Sequence, residues 1–331
     1  MADGDFAAAA RAEPLRAPFP WMGGKSRVAH VVWDAFGNVP NYVEPFFGSG
    51  AVLLARPHSP GLETVNDEDG FVANFFRAIK KAPSEVAEHA DCPVNENDLH
   101  ARHIWLVNQR QELTRKLEGD PEYYDAKIAG WWVWGLCCWI GGGWCSGKGQ
   151  WQSINGELVN TAAGGAGINR KIVHLGDAGR GVNRKRANIE SWFVALSDRL
   201  RNVRVCCGDW ARVCGPSPTF KNGMTGVFLD PPYGDEANRT DDCYAIDSKS
   251  VAAEVRAWCL DNGGNPMLRI ALCGYDGEHN SLTGAGWREH AWKAHGGYGS
   301  LGDGAGRENA RRERIWFSPH CMNDRQMGLF R

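Results

Sequence analysis

The sequence lacks a hydrophobic run long enough to cross a membrane. The tryptophan-rich run 129–141 is too short for a bilayer core of about 30 Å. The first residues carry Asp3, Asp5 and Glu13 and do not form a secretory signal, so we interpret residues 1–17 as a disordered lead-in. We expect a cytoplasmic protein without a membrane partner.

Zinc-type cysteine spacing is also missing. Among the eleven cysteines, Cys137-Cys138 with Cys145 and Cys206-Cys207 with Cys214 repeat one spacing, but it is not C-x-x-C. An odd count without a secretion signal fits reduced thiols. We therefore expect no metal site and mostly buried cysteines.

A net charge of −2 over 331 residues excludes a uniformly basic protein. It does not exclude nucleic-acid binding, because that depends on how the charge is distributed. Hydrophobic residues make up 43% of the chain, enough for a full core. The length predicts one large domain with an elaboration, or two domains.

The most informative segment present is Asp230-Pro231-Pro232-Tyr233, which follows the apolar run 226–229. Proline cannot donate to a strand ladder, so the pattern predicts a strand that ends in a rigid loop. Ligands of open α/β sheets bind at such carboxyl ends. A carboxylate, a fixed carbonyl and an aromatic ring together suit a flat ring with an amine, such as a nucleobase.

A second segment, 42–54, predicts a strand, a glycine turn and a helix start. Gly48 and Gly50 allow the backbone to approach a ligand closely. Glu44 would repel a pyrophosphate and attract an ammonium, which favours a cationic cofactor bearing an amino acid. Asp67 ends the next predicted strand, the position from which ribose hydroxyls are usually held. Upstream, Lys25 follows Trp21 and two glycines and could bind a ligand carboxylate.

In this order, four segments resemble the Dam-type (alpha-group) DNA adenine-N6 methyltransferases. They are 21–25, 43–50, 66–67 and 230–233, with a looser likeness of 311–320 to the closing strand of that family. The resemblance implies an α/β fold: a doubly wound mixed sheet of the S-adenosylmethionine-dependent methyltransferase type with an inserted, mainly helical target-recognition domain. It further implies a split catalytic domain, 18–80 and 188–331, around an insert at 81–187.

The resemblance implies S-adenosylmethionine as the cofactor. Trp21 and Lys25 would contact its methionine part, Asp67 its ribose, and Asp209 its adenine amine. The complete implied cofactor set is Trp21, Lys25, Glu44, Pro45, Phe46, Gly48, Gly50, Asp67, Asp209 and Asp230.

The implied catalytic residues are Asp230, Pro231 and Tyr233. Asp230 and the Pro231 carbonyl would accept from the amine of the target adenine, and Tyr233 would stack on its ring. Because that amine lies inside a base pair, the base must rotate out of the stack. The sulfonium is already a strong methyl donor, so the protein contributes mainly orientation and electrostatics.

Double-stranded DNA is the implied partner of a monomeric enzyme, and clustered basic residues are the predicted contacts. Phosphate neutralisation by such residues predicts binding that weakens steeply with salt. The glycine-rich segment 145–155 of the insert is a candidate for base contacts, but its target sequence cannot be carried over from the family. The predicted DNA-binding residues are Arg170, Lys171, Arg184, Lys185, Arg186, Arg311 and Arg312.

Two other functions stay open at this point. A methyltransferase of cytosine N4 or of RNA would need the same groups, since those bases also carry an exocyclic amine. A DNA-binding remnant without activity would keep the fold, although Lys25, Glu44, Asp67, Asp230 and Tyr233 are all intact. A regulatory enzyme, the partner of a restriction endonuclease and a phage protective enzyme would share these motifs, and 316–320 looks more like phage and prophage members.

Overall fold

The computed structural model describes residues 15–21, 23–139, 144–145, 151–154, 157–160, 189–233, 251–293 and 311–322. A seven-stranded mixed sheet lies at the centre, in the order β5-β2-β1-β6-β7-β9-β8. The first five strands of that order are parallel, and β9 runs antiparallel to both of its neighbours. The strands are β1 (Asn41–Glu44), β2 (Leu62–Asp67), β5 (Val203–Cys207), β6 (Thr225–Leu229), β7 (Leu268–Tyr275), β8 (Arg288–Ala291) and β9 (Glu313–Phe317).

Helices cover both faces of the sheet, because successive strand residues point to opposite sides. Tyr42 and Phe228 belong to the core on one face, while Val43 and Val227 belong to the core on the other. The predicted doubly wound α/β fold with a mixed sheet is therefore confirmed. The helices are α1 (Ala29–Phe36), α2 (Ala51–Leu54), α3 (Gly70–Lys81), α4 (Pro83–Ala90), α5 (Glu96–Gly119), α6 (Ala126–Cys138), α7 (Ile189–Leu200), α8 (Val251–Asn262) and α9 (Asn280–Gly284).

Polar side chains cap the amino ends of two helices that follow β2, α3 and α6. Asp69 caps α3 by accepting from the Phe71 amide at 2.9 Å, and Asp125 caps α6 by accepting from the Ile128 amide at 2.8 Å. Such caps satisfy amides that have no partner within the helix. Asn74 of α3 exchanges two hydrogen bonds with the Asp125 backbone, of 2.9 and 2.8 Å, which locks α6 to α3.

The helices α4, α5 and α6 lie within the predicted insert, yet they share one hydrophobic core with α3 and the sheet. Trp132 of α6 is 2% exposed and its ring contacts Phe19, Phe71 and Phe75. A two-stranded antiparallel sheet, β3 (Trp151–Ile154) with β4 (Glu157–Asn160), also falls in this part of the chain. The boundaries proposed for a separate recognition domain stay a prediction.

Parallel strands bring their carboxyl ends to one edge of the sheet. Glu44 of β1 and Asp67 of β2 end there, and Asp209 and Asp230 follow β5 and β6 at the same edge. The sheet therefore brings together acids that are far apart in the sequence. Within the described ranges, no helix is both long and apolar enough to span a bilayer.

Candidate active site

The carboxyl ends of β1, β2 and β5 are tied together by Asn66. Its side-chain amide donates to the carbonyl of Pro45 at 3.1 Å and to that of Gly208 at 2.8 Å, and its backbone carbonyl accepts from the Phe47 amide at 3.0 Å. Asn66 is 1% exposed, so these bonds form in a dry environment. Sequence reasoning used Asn66 only as part of a motif and missed this bridging role.

The glycine turn after β1 requires glycine at two positions. Gly48 and Gly50 have φ values of 49° and 71°, a left-handed conformation that other residues adopt at a cost. A Cβ on Gly48 would lie 2.5 Å from Nε1 of Trp21, and a Cβ on Gly50 would lie 2.7 Å from the ring of Phe47. The predicted cofactor residue Trp21 therefore lies directly on the predicted cofactor turn.

Asp67 supports the same turn through its carboxylate. One oxygen accepts from the Gly48 amide at 2.8 Å and the other from the Asp69 amide at 2.9 Å. Burial raises the pKa of Asp67 to about 7 despite these bonds. Each carboxylate oxygen has a second lone pair, so both can still accept from a ligand hydroxyl.

Glu44 and Phe46 precede the glycine turn and have different surroundings. Glu44 is 2% exposed and accepts from the Tyr42 hydroxyl at 2.8 Å, and burial raises its pKa well above the ordinary range. The ring of Phe46 stacks on Trp210, with centroids 6.1 Å apart. Asp209 lies beside that tryptophan with an exposed side chain, and its carboxylate caps a short 3-10 helix by accepting from the Ala211 amide at 2.8 Å.

A buried cluster of one ammonium and two carboxyl groups lies at the end of β6. Nζ of Lys25 lies 2.9 Å from Oδ2 of Asp230 and 3.8 Å from Oε2 of Glu313. Nζ also donates to the carbonyl of Gly23 at 2.7 Å. Burial by itself lowers the pKa of Lys25, but the charges of Asp230 and Glu313 outweigh it and raise the pKa above its usual range.

Tyr233 joins this cluster through its hydroxyl. The hydroxyl oxygen lies 2.8 Å from Oε2 of Glu313 and 3.2 Å from Oδ1 of Asp230. The ring meets that of Tyr275 edge to face at 4.7 Å, and Nζ of Lys25 lies 5.4 Å from its centroid. Tyr233 is only 4% exposed, and burial raises the pKa of its hydroxyl well above the ordinary value.

Glu313 was not among the residues predicted for the site. It begins β9 and lies opposite Tyr275 of β7, so the register of the sheet carries it to the Asp230 loop. The basic-acidic-apolar pattern at 311–317 indicated a closing strand but not the direction of this side chain. Trp292 also reaches the cluster, with its ring centroid 5.7 Å from Nζ of Lys25.

Two of the seven predicted DNA-binding residues lie in the described part of the chain. Arg311 is exposed, and the guanidinium of Arg312 lies 5.4 Å from the ring centroid of Tyr275, beside Tyr233. These two arginines therefore flank the cluster at the start of β9. The other five, Arg170, Lys171, Arg184, Lys185 and Arg186, lie outside the described residues.

Comparison with known families bears on this arrangement. Residues 21–126 match the family model described as D12 class N6 adenine-specific DNA methyltransferase. The match covers the Lys25 loop, the glycine turn and Asp67, and it continues through α4 and α5 into the predicted insert. No curated protein matches the chain. The predicted Dam-type family is thereby confirmed over this segment, and with it the predicted enzyme class, a DNA adenine methyltransferase.

Proposed function

We propose that the protein methylates N6 of an adenine in double-stranded DNA. Its residues 21–126 match the family model described as D12 class N6 adenine-specific DNA methyltransferase. The methyl donor would be S-adenosylmethionine, and the adenine would be rotated out of the helix before transfer. The observation that carries this proposal is the meeting of Asp230 with Lys25 at 2.9 Å, at the sheet edge where the glycine turn also lies.

The residues at the turn fit this cofactor. Gly48 and Gly50 allow the left-handed backbone of the turn and let the Trp21 and Phe47 rings pack directly on it. Asp67 keeps lone pairs that would accept from ribose hydroxyls, and the exposed Asp209 would accept from an adenine amine. Above about pH 7, the ionised carboxylate of Asp67 favours a cation over an anion. S-adenosylmethionine would supply an activated methyl group at this place.

Asp230 and Pro231 orient the target amine in this proposal. A carboxylate oxygen and a carbonyl oxygen accept its two hydrogens, and the nitrogen lone pair is then directed toward the methyl group. Proline has no amide hydrogen, so the Pro231 carbonyl sits on a rigid loop that does not pair with a neighbouring strand. No protein nucleophile is needed.

Tyr233 would stack on the flipped base, a contact worth about 1–3 kcal/mol for bases on aromatic rings. That contribution would offset part of the unstacking cost, which is a few kcal/mol. Because the ring is 4% exposed, the base can reach it only after the surrounding residues move. Arg311 and Arg312, which flank the cluster at the start of β9, would bind phosphates of the DNA backbone.

Expression in a host that lacks DNA methylation tests the proposal. Long-read sequencing of the host DNA should map N6-methyladenine at one short recurring sequence. Asp230→Asn, which keeps the shape of the side chain, should give far less. Mass spectrometry of nucleosides from purified DNA and RNA would reveal N4-methylcytosine or modified RNA instead, and either product as the main one would overturn the proposal.

Binding of the cofactor separates an active enzyme from a DNA-binding remnant. Calorimetry should detect S-adenosylmethionine binding to the wild-type chain and to Asp230→Asn alike. A chain that binds DNA but not the cofactor would be a remnant. We propose a monomer, which light scattering of the purified protein can test, and a cytoplasmic location.

A further inference from the structure

Glu313 lies against two residues of the proposed site. It is 4% exposed at the start of β9, a strand that pairs antiparallel with β7. Its Oε2 lies 2.8 Å from the hydroxyl of Tyr233 and 3.8 Å from Nζ of Lys25. Both of these side chains also contact Asp230, one at each carboxylate oxygen.

The hydroxyl of Tyr233 has one hydrogen and two carboxyl acceptors within reach. A hydroxyl donates that hydrogen to one acceptor at a time. The distance to Oε2 of Glu313 is 2.8 Å and the distance to Oδ1 of Asp230 is 3.2 Å, so Glu313 has the better geometry. With Glu313 as the acceptor, Oδ1 of Asp230 is not engaged by the tyrosine.

Lys25 engages the other oxygen of Asp230. Its ammonium lies 2.9 Å from Oδ2, a short, charge-assisted contact between buried groups. The two oxygens of Asp230 thus have different environments, one held by lysine and one adjoining the tyrosine hydroxyl. Oδ1 is the oxygen that remains for an incoming amine.

We propose that Glu313 is a positioning residue that holds the Tyr233 hydroxyl away from Oδ1 of Asp230, and this inference rests on the proposed function. Without Glu313, this buried hydroxyl needs another acceptor, because a buried polar group without a partner is costly. Oδ1 of Asp230 is already 3.2 Å away. The hydroxyl would then occupy the oxygen that should accept from the target adenine, and transfer would slow although the cofactor still binds.

A set of variants separates this role from mere support of the fold. Glu313→Gln keeps a carbonyl oxygen that can accept from Tyr233, whereas Glu313→Met has similar length and no such acceptor. Tyr233→Phe removes the competing hydroxyl, alone or combined with Glu313→Met. Single-turnover methylation, cofactor binding by calorimetry and thermal unfolding are measured for each variant and for the wild type.

We expect Glu313→Gln to keep kcat within about threefold of the wild type and Glu313→Met to lower it roughly tenfold or more, because a net hydrogen bond is worth about a factor of ten. Cofactor affinity should change little in both. The distinguishing result is rescue: adding Tyr233→Phe to Glu313→Met should raise kcat, whereas Tyr233→Phe alone should not.

Three results would overturn the role of Glu313 while leaving the proposed function intact. They are full activity of Glu313→Met, no recovery in the double variant, and a loss of tenfold or more in a folded Glu313→Gln. The last applies even where Glu313→Met does not fold. A wild-type chain that binds S-adenosylmethionine but methylates no DNA would instead defeat the proposed function itself.

Discussion

Two buried ion clusters lie at opposite ends of the sheet and differ in how their charges are matched. At the amino end, Glu63 pairs with Arg56 at 3.0 Å and with Arg199 at 2.6 Å, so one acid faces two cations. At the carboxyl end, Lys25 faces both Asp230 and Glu313, so one cation faces two acids. Each carboxylate oxygen of Glu63 accepts from a guanidinium, whereas Oδ1 of Asp230 has only the longer, 3.2 Å contact with the Tyr233 hydroxyl.

This difference separates a cluster that stabilises the fold from the one proposed to bind the substrate. The arginines at the amino end also donate to the carbonyls of Val39 and Leu53, which joins β2 to the segment before β1 and to α2. Three guanidinium hydrogen bonds already occupy the Glu63 carboxylate, two at Oε1 and one at Oε2, so little of its acceptor capacity remains for a ligand. The carboxyl-end cluster has excess acceptors and a surplus of negative charge, which suits an amine donor and a cationic cofactor.

The largest effect is expected from Glu63→Gln. Removing this charge leaves the buried guanidinium of Arg56 and the partly buried one of Arg199 without their carboxylate, which costs about 3–5 kcal/mol in the free energy of unfolding. Glu63 and Arg56 have side chains that are each 1% exposed, so solvent cannot compensate. Urea unfolding measures the change, and methylation by the folded fraction should remain near wild type.

The exposed pair of Glu112 and Arg115 supplies the matched control for that prediction. Glu112→Gln should leave the unfolding midpoint unchanged, since exposed pairs contribute little. If Glu63→Gln is as stable as this control, or loses methylation while it stays folded, the division into a structural and a functional cluster is wrong.

Asp230→Asn should have the opposite effects to Glu63→Gln, with a large loss of activity and a small loss of stability. The amide keeps the shape of the side chain but presents a donor group and no charge, so kcat should fall roughly 10²–10³-fold, the scale for losing one oriented electrostatic contact. Unfolding in urea should show a smaller loss than in Glu63→Gln, because Lys25 retains Glu313. Equal losses of stability in the two variants would remove the contrast.

Gly48→Ala, in the cofactor turn, should lower cofactor affinity by an intermediate amount. Alanine at a φ of 49° costs about 1–2 kcal/mol. Its Cβ would also lie 2.5 Å from Trp21 Nε1, so the indole must move. We expect cofactor affinity to fall roughly tenfold by calorimetry, an amount that corresponds to about 1.4 kcal/mol. Gly264→Ala, where a Cβ meets nothing within 4 Å, is the control and should bind normally.

The sequence predicted the strand ends because each ends in a local pattern. Asp230 is followed by two prolines, and Glu44 by a glycine turn, so no distant contact was needed to place them. The ion clusters were not predicted. Arg199 of α7 lies 136 residues from Glu63, and Glu313 of β9 lies 80 residues from Tyr233. Their contacts depend on helix packing and on strand register, which a single sequence does not display.

The burial of Tyr233 was also beyond the sequence. Its position after Asp230 predicted an aromatic ring at the site, but the ring contacts Tyr275 from β7 and its hydroxyl reaches β9. Local pattern predicts which residues come to the sheet edge. The pairing of β7 with β9 decides which of them are exposed there.

The smallest effect expected is a dependence of cofactor binding on pH through Asp67. Its pKa is raised to about 7 by burial, so the carboxyl is protonated below that pH and ionised above it. Ribose hydroxyls bind the ionised form better, so affinity for S-adenosylmethionine should rise several-fold from about pH 6 to pH 8.

Stability should change in the opposite direction: a carboxyl whose pKa is raised on folding stabilises the fold most at low pH, and that contribution is lost as the pH rises through about 7. Calorimetry and thermal unfolding across this range measure the two slopes. Asp67→Asn should remove both, and an affinity that is constant from pH 6 to pH 8 in the wild type would exclude Asp67 as the ribose acid.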